Sequence, residues 1–125
     1  MSGRTEELKQ AVCSAVAAMR DELLHISHAI HAEPELAFEE REAAALLVEA
    51  LRCNGLEVTA GAHGLETAFA TDFGPSDAPC VALLAEYDAL PGIGHSCGHN
   101  LIATASVGAG LALAKLGTDL PGRVR

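Results

Sequence analysis

Residues 80–100 read CVALLAEYDALPGIGHSCGHN, an apolar run followed by a glycine-rich loop. The run from Cys80 to Glu86 is short and almost unbroken, which favours a strand buried on both faces. A turn-forming cluster, residues 74–77 (GPSD), precedes it. Asp88 then falls at the carboxyl end of the strand, the edge at which open α/β sheets usually bind ligands. The stretch therefore predicts an α/β fold with a site on the loop that follows the strand.

Helical patterns lie on both sides of this strand. Before the strand, apolar residues recur at steps of three or four, or close to multiples of them, and predict one long amphipathic helix. Pro34 ends this helix. The recurring residues are Leu8, Val12, Met19, Leu23, Ile26 and Ile30. A second helix is predicted over Glu39 to Asn54, with Gly55 as the left-handed residue after its last turn.

The segment after the loop predicts a third helix, Leu101 to Leu116. It is apolar on nearly every side, so we expect it to be buried, with Asn100 as its N-cap and Gly117 as its stop. Gly108 and Gly110 each cost about 1 kcal/mol of helix propensity against alanine, which a close approach to a neighbouring element would offset.

Short strands are predicted at Leu56 to Thr59 and at Glu66 to Thr71, and residues 120–125 (LPGRVR) resemble a turn that enters another strand. The order of helices and strands predicts an α/β layer arrangement that is incomplete at its C-terminal edge.

Cys97 and His99 are the candidate metal ligands. A thiolate and an imidazole two residues apart can turn toward the same ion or toward an adjacent pair of ions. Both are preferred zinc ligands, and Gly98 between them permits unusual backbone angles. A structural zinc site needs four protein ligands, usually in two pairs, whereas Cys13, Cys53 and Cys80 stand alone. The spacing therefore favours an open site of the catalytic type.

Residues 86–103, EYDALPGIGHSCGHNLIA, closely resemble the signature of the zinc metallopeptidase and amidohydrolase family of aminoacylases, hippurate hydrolases and auxin-conjugate hydrolases. The resemblance is nearest to the branch of the β-alanyl-lysine dipeptidase and the aminobenzoyl-glutamate hydrolases. A second stretch, residues 31–40 (HAEPELAFEE), resembles the N-terminal motif of the family. Together they cover about residues 25 to 117, and they imply a helices-on-sheet catalytic domain.

The resemblance implies hydrolysis of an amide bond in a small dipeptide or acyl-amino acid by water held between two metal ions. Cys97 and His99 fall on metal-binding positions, and Asp88 falls on an aspartate that supports the site from behind. Glu86 stands where other branches carry a metal-binding histidine. Asn100 replaces an aspartate of the auxin-conjugate branch. Zinc is favoured by the thiolate, with manganese or cobalt as alternatives.

The family's catalytic glutamate and later histidine ligands have no counterpart in the sequence. We therefore expect residues 1–125 to be an incomplete N-terminal portion of the catalytic domain that lacks the lid domain through which the family often forms homodimers. The expected function is amide hydrolysis in the full-length protein and no activity in this chain alone. Two alternatives stay open: a non-catalytic form that binds metal or a partner, and a nucleotide-binding glycine loop, although the spacing is GxGxxxG.

Each candidate residue also has a structural interpretation. Cys97 could be a small buried side chain, His99 could bond a backbone carbonyl, and Asp88 could cap the turn at Leu90. His95 suits contact with substrate or support of the site, and a solvated loop histidine is an equal alternative.

Other clusters favour structural roles. His25, His28 and His31 are three residues apart and could bind a metal, but an exposed helix face is the stronger interpretation. Structural roles are also predicted for Glu33 and Glu35. The remaining acidic cluster fits the first turn of a helix: Glu39, Glu40 and Glu42.

The composition disfavours some classes of binding partner. The net charge of −9 disfavours nucleic acid and anionic membranes. No apolar run approaches the roughly 18 residues that would span a bilayer. We expect a cytoplasmic location, in which the four cysteines are free thiols.

Overall fold

A computed structural model describes residues 3–125. It has four α-helices: α1 (Gly3–Ala18), α2 (Arg20–Ala32), α3 (Arg41–Cys53) and α4 (His99–Ala114). Four strands of two residues accompany them: β1 (Thr59–Ala60), β2 (Phe69–Ala70), β3 (Cys80–Val81) and β4 (Arg123–Val124). Short 3-10 turns lie at Ala62–Gly64 and Gly117–Asp119. The predicted α/β class is confirmed.

The prediction of one long N-terminal helix is wrong, because the chain breaks at Met19. Its φ of −96° and ψ of 9° leave the helical region, although its N–H still donates to the carbonyls of Ala15 and Val16. The Met19 side chain is buried, and α1 and α2 both pack on α4. The apolar periodicity continues through the break because the side chain at the break itself belongs to the core.

The core lies between α2, α3 and α4, and its largest fully buried side chains are Ile26, Leu47 and Leu111. Gly108 permits this packing, since a Cβ there would lie 3.0 Å from Cδ1 of Leu23 on α2. The predicted close approach is thus confirmed at Gly108. Burial of α4 on every side is not, because Leu101 is 62% exposed.

Asn100 does not cap α4, contrary to the prediction. The helix begins at His99, after Gly98 in the left-handed conformation (φ +81°). The Asn100 side chain is buried instead and donates to the carbonyl and hydroxyl oxygens of Ser27 at 3.3 and 3.1 Å. Those bonds join the first turn of α4 to α2, which explains why a polar side chain is buried there.

The ends of the other helices agree more closely with the sequence patterns. Helix α3 occupies most of the predicted range, and Gly55 after it has a φ of +87°. Helix α4 ends at Ala114, two residues before the predicted end, and Gly117 follows with a φ of +57°. No described helix is long and apolar enough to cross a membrane.

The strands form two small sheets. β1 and β2 are antiparallel, and β3 and β4 are parallel with Val81 opposite Val124. β2 lies within its predicted range, whereas β1 shares only Thr59 with the range predicted for it. Pairing continues beyond β3, because the Leu83 N–H donates to the Arg125 carbonyl at 2.7 Å. The predicted strand after residue 120 is confirmed.

The predicted double-sided burial of residues 80–86 is wrong. The regular strand stops at Val81, which is 64% exposed, and Leu84 is 79% exposed. Within residues 3–125, β3 pairs with β4 alone, so the other edge of β3 has no strand partner. An apolar sequence favours burial of a segment, but the segment is buried only where another part of the structure packs against it.

Candidate metal centre

The loop that carries the candidate ligands is held at both ends. Ala89 is buried, and its N–H donates to the Glu35 carbonyl at 2.7 Å. Leu90 and Gly94 then exchange backbone hydrogen bonds of 2.9 and 3.1 Å around a tight turn. The turn needs its glycines, since Gly92 and Gly94 have φ values of +76° and +57°. These contacts bring the end of the loop back toward Asp88.

His99 lies between two carboxylates. Its Nδ1 is 2.8 Å from Oδ1 of Asp88 and 3.0 Å from the Asp88 carbonyl oxygen, while its Nε2 is 3.3 Å from Oε2 of Glu86. The His99 side chain is 21% exposed and that of Glu86 is 59% exposed. Glu86 and Asp88 are two positions apart in the sequence, and both carboxylates lie next to the same imidazole. Nδ1 thus faces two acceptor oxygens of Asp88, and a neutral ring with its proton on Nδ1 would carry its lone pair on Nε2.

Cys97 is exposed and is not in a disulfide. The alternative that it is a small buried side chain is therefore wrong. It lies in the turn closed by the hydrogen bond from the Gly98 N–H to the His95 carbonyl, at 2.9 Å. Among the described residues, no group of three or more histidine, cysteine, aspartate or glutamate side chains is arranged to hold one metal ion.

His95 is buried rather than solvated, so the solvated-loop alternative is wrong. It is 7% exposed, and neither ring nitrogen has a hydrogen-bond partner among residues 3–125. Its ring centroid lies 6.3 Å from that of His31. Burial lowers the pKa of His95, and the charges of His31 and His99 lower it further. The Asp88 charge and the nearby Ile30 carbonyl oppose this shift in pKa, although no hydrogen bond to Ile30 is formed.

The other clusters have structural surroundings. His25, His28 and His31 are all exposed, as expected for a helix face. The Glu35 carboxylate accepts N–H groups from the first turn of α3, which confirms its structural role. Glu40 is buried and accepts a hydrogen bond from the Thr67 hydroxyl at 2.9 Å.

Tyr87 was missed by the sequence analysis, although it lies inside the motif. Its hydroxyl donates to the Thr67 carbonyl at 2.6 Å, and its ring stacks on Phe69. Burial, followed by the charge of Glu40, raises the pKa of Tyr87 to about 12. The tyrosine thereby fixes the backbone between Glu86 and Asp88. No sequence pattern signals this contact, because Thr67 is 20 positions away.

Known proteins resemble the chain in both sequence and fold, although no protein-family model matches it. It is 38% identical to the mouse Xaa-Arg dipeptidase over 86% of this chain and 27% of that protein. It is 35% identical to one component of the p-aminobenzoyl-glutamate hydrolase of Escherichia coli, over 88% of this chain and 26% of that protein.

The crystal structure of the YXEP protein of Bacillus subtilis, described as a dinuclear metal-binding peptidase of the M20 family, matches with a TM-score of 0.78. Its sequence identity is 26%, over 86% of this chain and 34% of that chain. In sequence and fold the chain is similar to peptidases and amidohydrolases of the M20 kind. It spans between a quarter and about a third of the length of these similar proteins.

The side chains around His99 are of the types that bind a metal ion such as zinc. A thiol, an imidazole with a carboxylate on Nδ1, and a second carboxylate near Nε2 are groups that zinc takes as ligands or as supports for ligands. In carboxylate–histidine–zinc triads, one ring nitrogen of the histidine binds the zinc and the other donates its hydrogen to a carboxylate. Asp88 has the position of that carboxylate relative to His99.

Proposed function

We propose that this chain forms part of a metal-dependent hydrolase that cleaves amide bonds in small dipeptides or N-acyl-amino acids. The observation that carries the proposal is the position of His99, with Asp88 on Nδ1 at 2.8 Å and Nε2 turned toward Glu86. Support comes from the dipeptidase and the aminobenzoyl-glutamate hydrolase to which the chain is similar.

In this proposal Cys97 and Nε2 of His99 are metal ligands, and Asp88 orients the imidazole. Asp88 keeps the proton on Nδ1 and so leaves the Nε2 lone pair for the ion. Glu86 is proposed as a donor beside Nε2, although Cys97, His99 and Glu86 are not arranged around one ion within residues 3–125. Its distance of 3.3 Å from Nε2 is similar to the separation, roughly 3.3 Å, of two ligands on a tetrahedral zinc with bonds of about 2.0 Å. His95 supports the site or contacts the substrate.

A bound metal supplies a water of lowered pKa and a Lewis acid for the amide oxygen. The residues of this chain hold and orient that centre, and none of them is assigned as the general base. Zinc is the proposed ion because a thiolate is a soft ligand, and manganese and cobalt remain alternatives. The whole protein is proposed to be cytoplasmic, which four unpaired cysteines support, and to form homodimers.

The first test measures the zinc bound to the purified chain by native mass spectrometry. We expect the unmodified chain to retain zinc and the double variant Cys97→Ala/His99→Ala to lose it. The matched control is Cys53→Ala/His25→Ala, which removes an exposed thiol and an exposed imidazole away from the site and should retain zinc. Retention of zinc by the site variant at the level of the unmodified chain would exclude Cys97 and His99 as the ligands.

A second candidate function is metal binding without turnover by this chain on its own. The absence of a three-donor cluster within residues 3–125 favours it, because a catalytic zinc usually has three protein ligands. Release of free amino acid from an acylated amino acid by the zinc-loaded chain distinguishes the two. We expect none above the Cys97→Ala/His99→Ala background. Zinc-dependent release would exclude the non-catalytic interpretation.

The nucleotide-loop alternative has little support. The glycine-rich loop follows the third strand, β3, whereas the dinucleotide motif follows the first. In addition, the Gly98 N–H is already donated to the His95 carbonyl.

A further inference from the structure

Glu35 lies outside the proposed ligand set and makes an unusual side-chain contact. Its Oε1 accepts the Glu42 N–H at 3.0 Å, and its Oε2 accepts the Ala43 N–H at 2.9 Å. Both N–H groups are in the first turn of α3, where a helix has no carbonyl partners of its own. Glu40, in the N-cap position, makes no side-chain capping bond. Glu35 therefore caps α3 from five residues before the N-cap.

The main chain of the same residue contacts the candidate metal centre. The Glu35 carbonyl accepts the Ala89 N–H at 2.7 Å, and the next residue, Leu36, forms a parallel bridge with Ala89. Ala89 is 3% exposed and directly follows Asp88. One residue thus bonds to the start of α3 through its side chain and to the peptide beside Asp88 through its backbone.

We propose that Glu35 is a positioning residue for the metal centre, an inference that rests on the proposed function. With both carboxylate oxygens bonded to α3, the backbone at residue 35 is fixed relative to that helix. Its carbonyl then fixes the Ala89 peptide, and this places the Asp88 carboxylate against Nδ1 of His99. The negative charge also suits the positive end of the α3 dipole, which strengthens the attachment.

The substitution Glu35→Gln tests this inference, because an amide has one acceptor oxygen where the carboxylate has two. The matched control is Asn54→Ala at the other end of α3. It removes hydrogen bonds from Asn54 Nδ2 to the Ala50 carbonyl and to Glu22, neither of which involves Ala89. Both variants should unfold at lower urea concentration than the unmodified chain.

Two further measurements separate positioning from capping. Zinc affinity, measured by competition with a chromophoric chelator, should fall about tenfold in Glu35→Gln, the lower end of the range for outer-shell partners, and stay unchanged in Asn54→Ala. Two-bond proton–nitrogen spectra of the imidazoles should show His99 as the Nδ1–H tautomer in the unmodified chain. In Glu35→Gln they should show a mixture of tautomers.

The inference is overturned if Glu35→Gln binds zinc as tightly as the unmodified chain and keeps the same His99 tautomer, because Glu35 would then be a cap and nothing more. If Glu35→Gln does not fold, the same comparison is made with Glu35→Asp, which keeps the charge but is one methylene shorter. Failure of the proposed function gives a different result, in which the variant Cys97→Ala/His99→Ala binds zinc as tightly as the unmodified chain. The His99 tautomer of the unmodified chain and of Glu35→Gln would then still show whether Glu35 positions Asp88 against Nδ1.

Discussion

Helix α3 and the segment from Val81 to Leu84 both carry apolar side chains, but only those on the core face of α3 are covered. Leu47 of α3 is 0% exposed, whereas Leu84 is 79% exposed. A helix satisfies its backbone hydrogen bonds internally and needs a neighbour on one face. A strand satisfies its backbone hydrogen bonds only through neighbouring strands, so its coverage depends on partners at its edges as well as over its faces. Hydrophobicity alone therefore does not show which apolar segment contributes to stability in this chain.

The largest expected effect comes from substituting one leucine in each region. Leu47→Ala should lower the free energy of unfolding by about 2–5 kcal/mol, because it removes a fully buried side chain and leaves a cavity. Leu84→Ala should change that free energy by less than about 0.5 kcal/mol. Urea denaturation followed by circular dichroism measures both. Equal losses would contradict the comparison and would mean that residues 81–84 are covered in solution.

A smaller effect is expected from two glycines of the same helix. Gly108→Ala should destabilise the fold by about 1 kcal/mol, because its Cβ would press on Leu23 and the cost of overpacking outweighs the gain in helix propensity. Gly110→Ala should stabilise it by up to about 1 kcal/mol, because its Cβ would lie at an ordinary 3.8 Å from Leu83.

Thermal unfolding of the two glycine variants gives the sign directly. Stabilisation by both would show that Leu23 adjusts freely and that the contact between α2 and α4 is loose. The pair thus measures how tightly the helical layer is packed at a point where the sequence alone predicts the same effect for both glycines.

The smallest expected effect lies on the strand side, at the ion pair of Asp72 with Arg125. Two nitrogens of Arg125 lie 3.0 Å from the Asp72 oxygens, and this hydrogen bonding lowers the pKa of Asp72 below its ordinary value of 3.8. A lowered carboxyl pKa contributes stability that is present above pH 3.8 and is lost as the pH falls through the folded-state pKa. Both side chains are well exposed, so the contribution is small and is screened by salt.

Asp72→Asn should lower the urea midpoint slightly at pH 7, and the difference from the unmodified chain should shrink as the pH falls below 3.8. The matched control is Asp77→Asn, an exposed aspartate for which no ion pair is found within residues 3–125. A pH-independent difference would contradict the role of the ion pair.

The helices were predictable because their pattern is local. Apolar spacing predicts α3 and α4 to within a few residues, and Gly55 follows α3 as a left-handed residue. The break at Met19 was not predictable, since its side chain continues the apolar pattern and only packing on α4 shows the change. The exposure of Leu84 was equally hidden, because the number of neighbours of a strand is a non-local property.

Sequence by itself determined which groups can carry the chemistry. The spacing of Cys97 and His99, and of Glu86 and Asp88, is covalent, so these residues share a loop or a strand end in any fold of this chain. Tertiary structure decided which atoms meet. Asp88 lies on Nδ1 of His99 and Glu86 lies near Nε2, while His95, four residues before His99, is buried without a partner in the described chain. The reason is physical: the chain fixes separations over a few residues, whereas contacts between residues 11 or 13 positions apart depend on how the loop folds back, and Glu35 helps to hold it there.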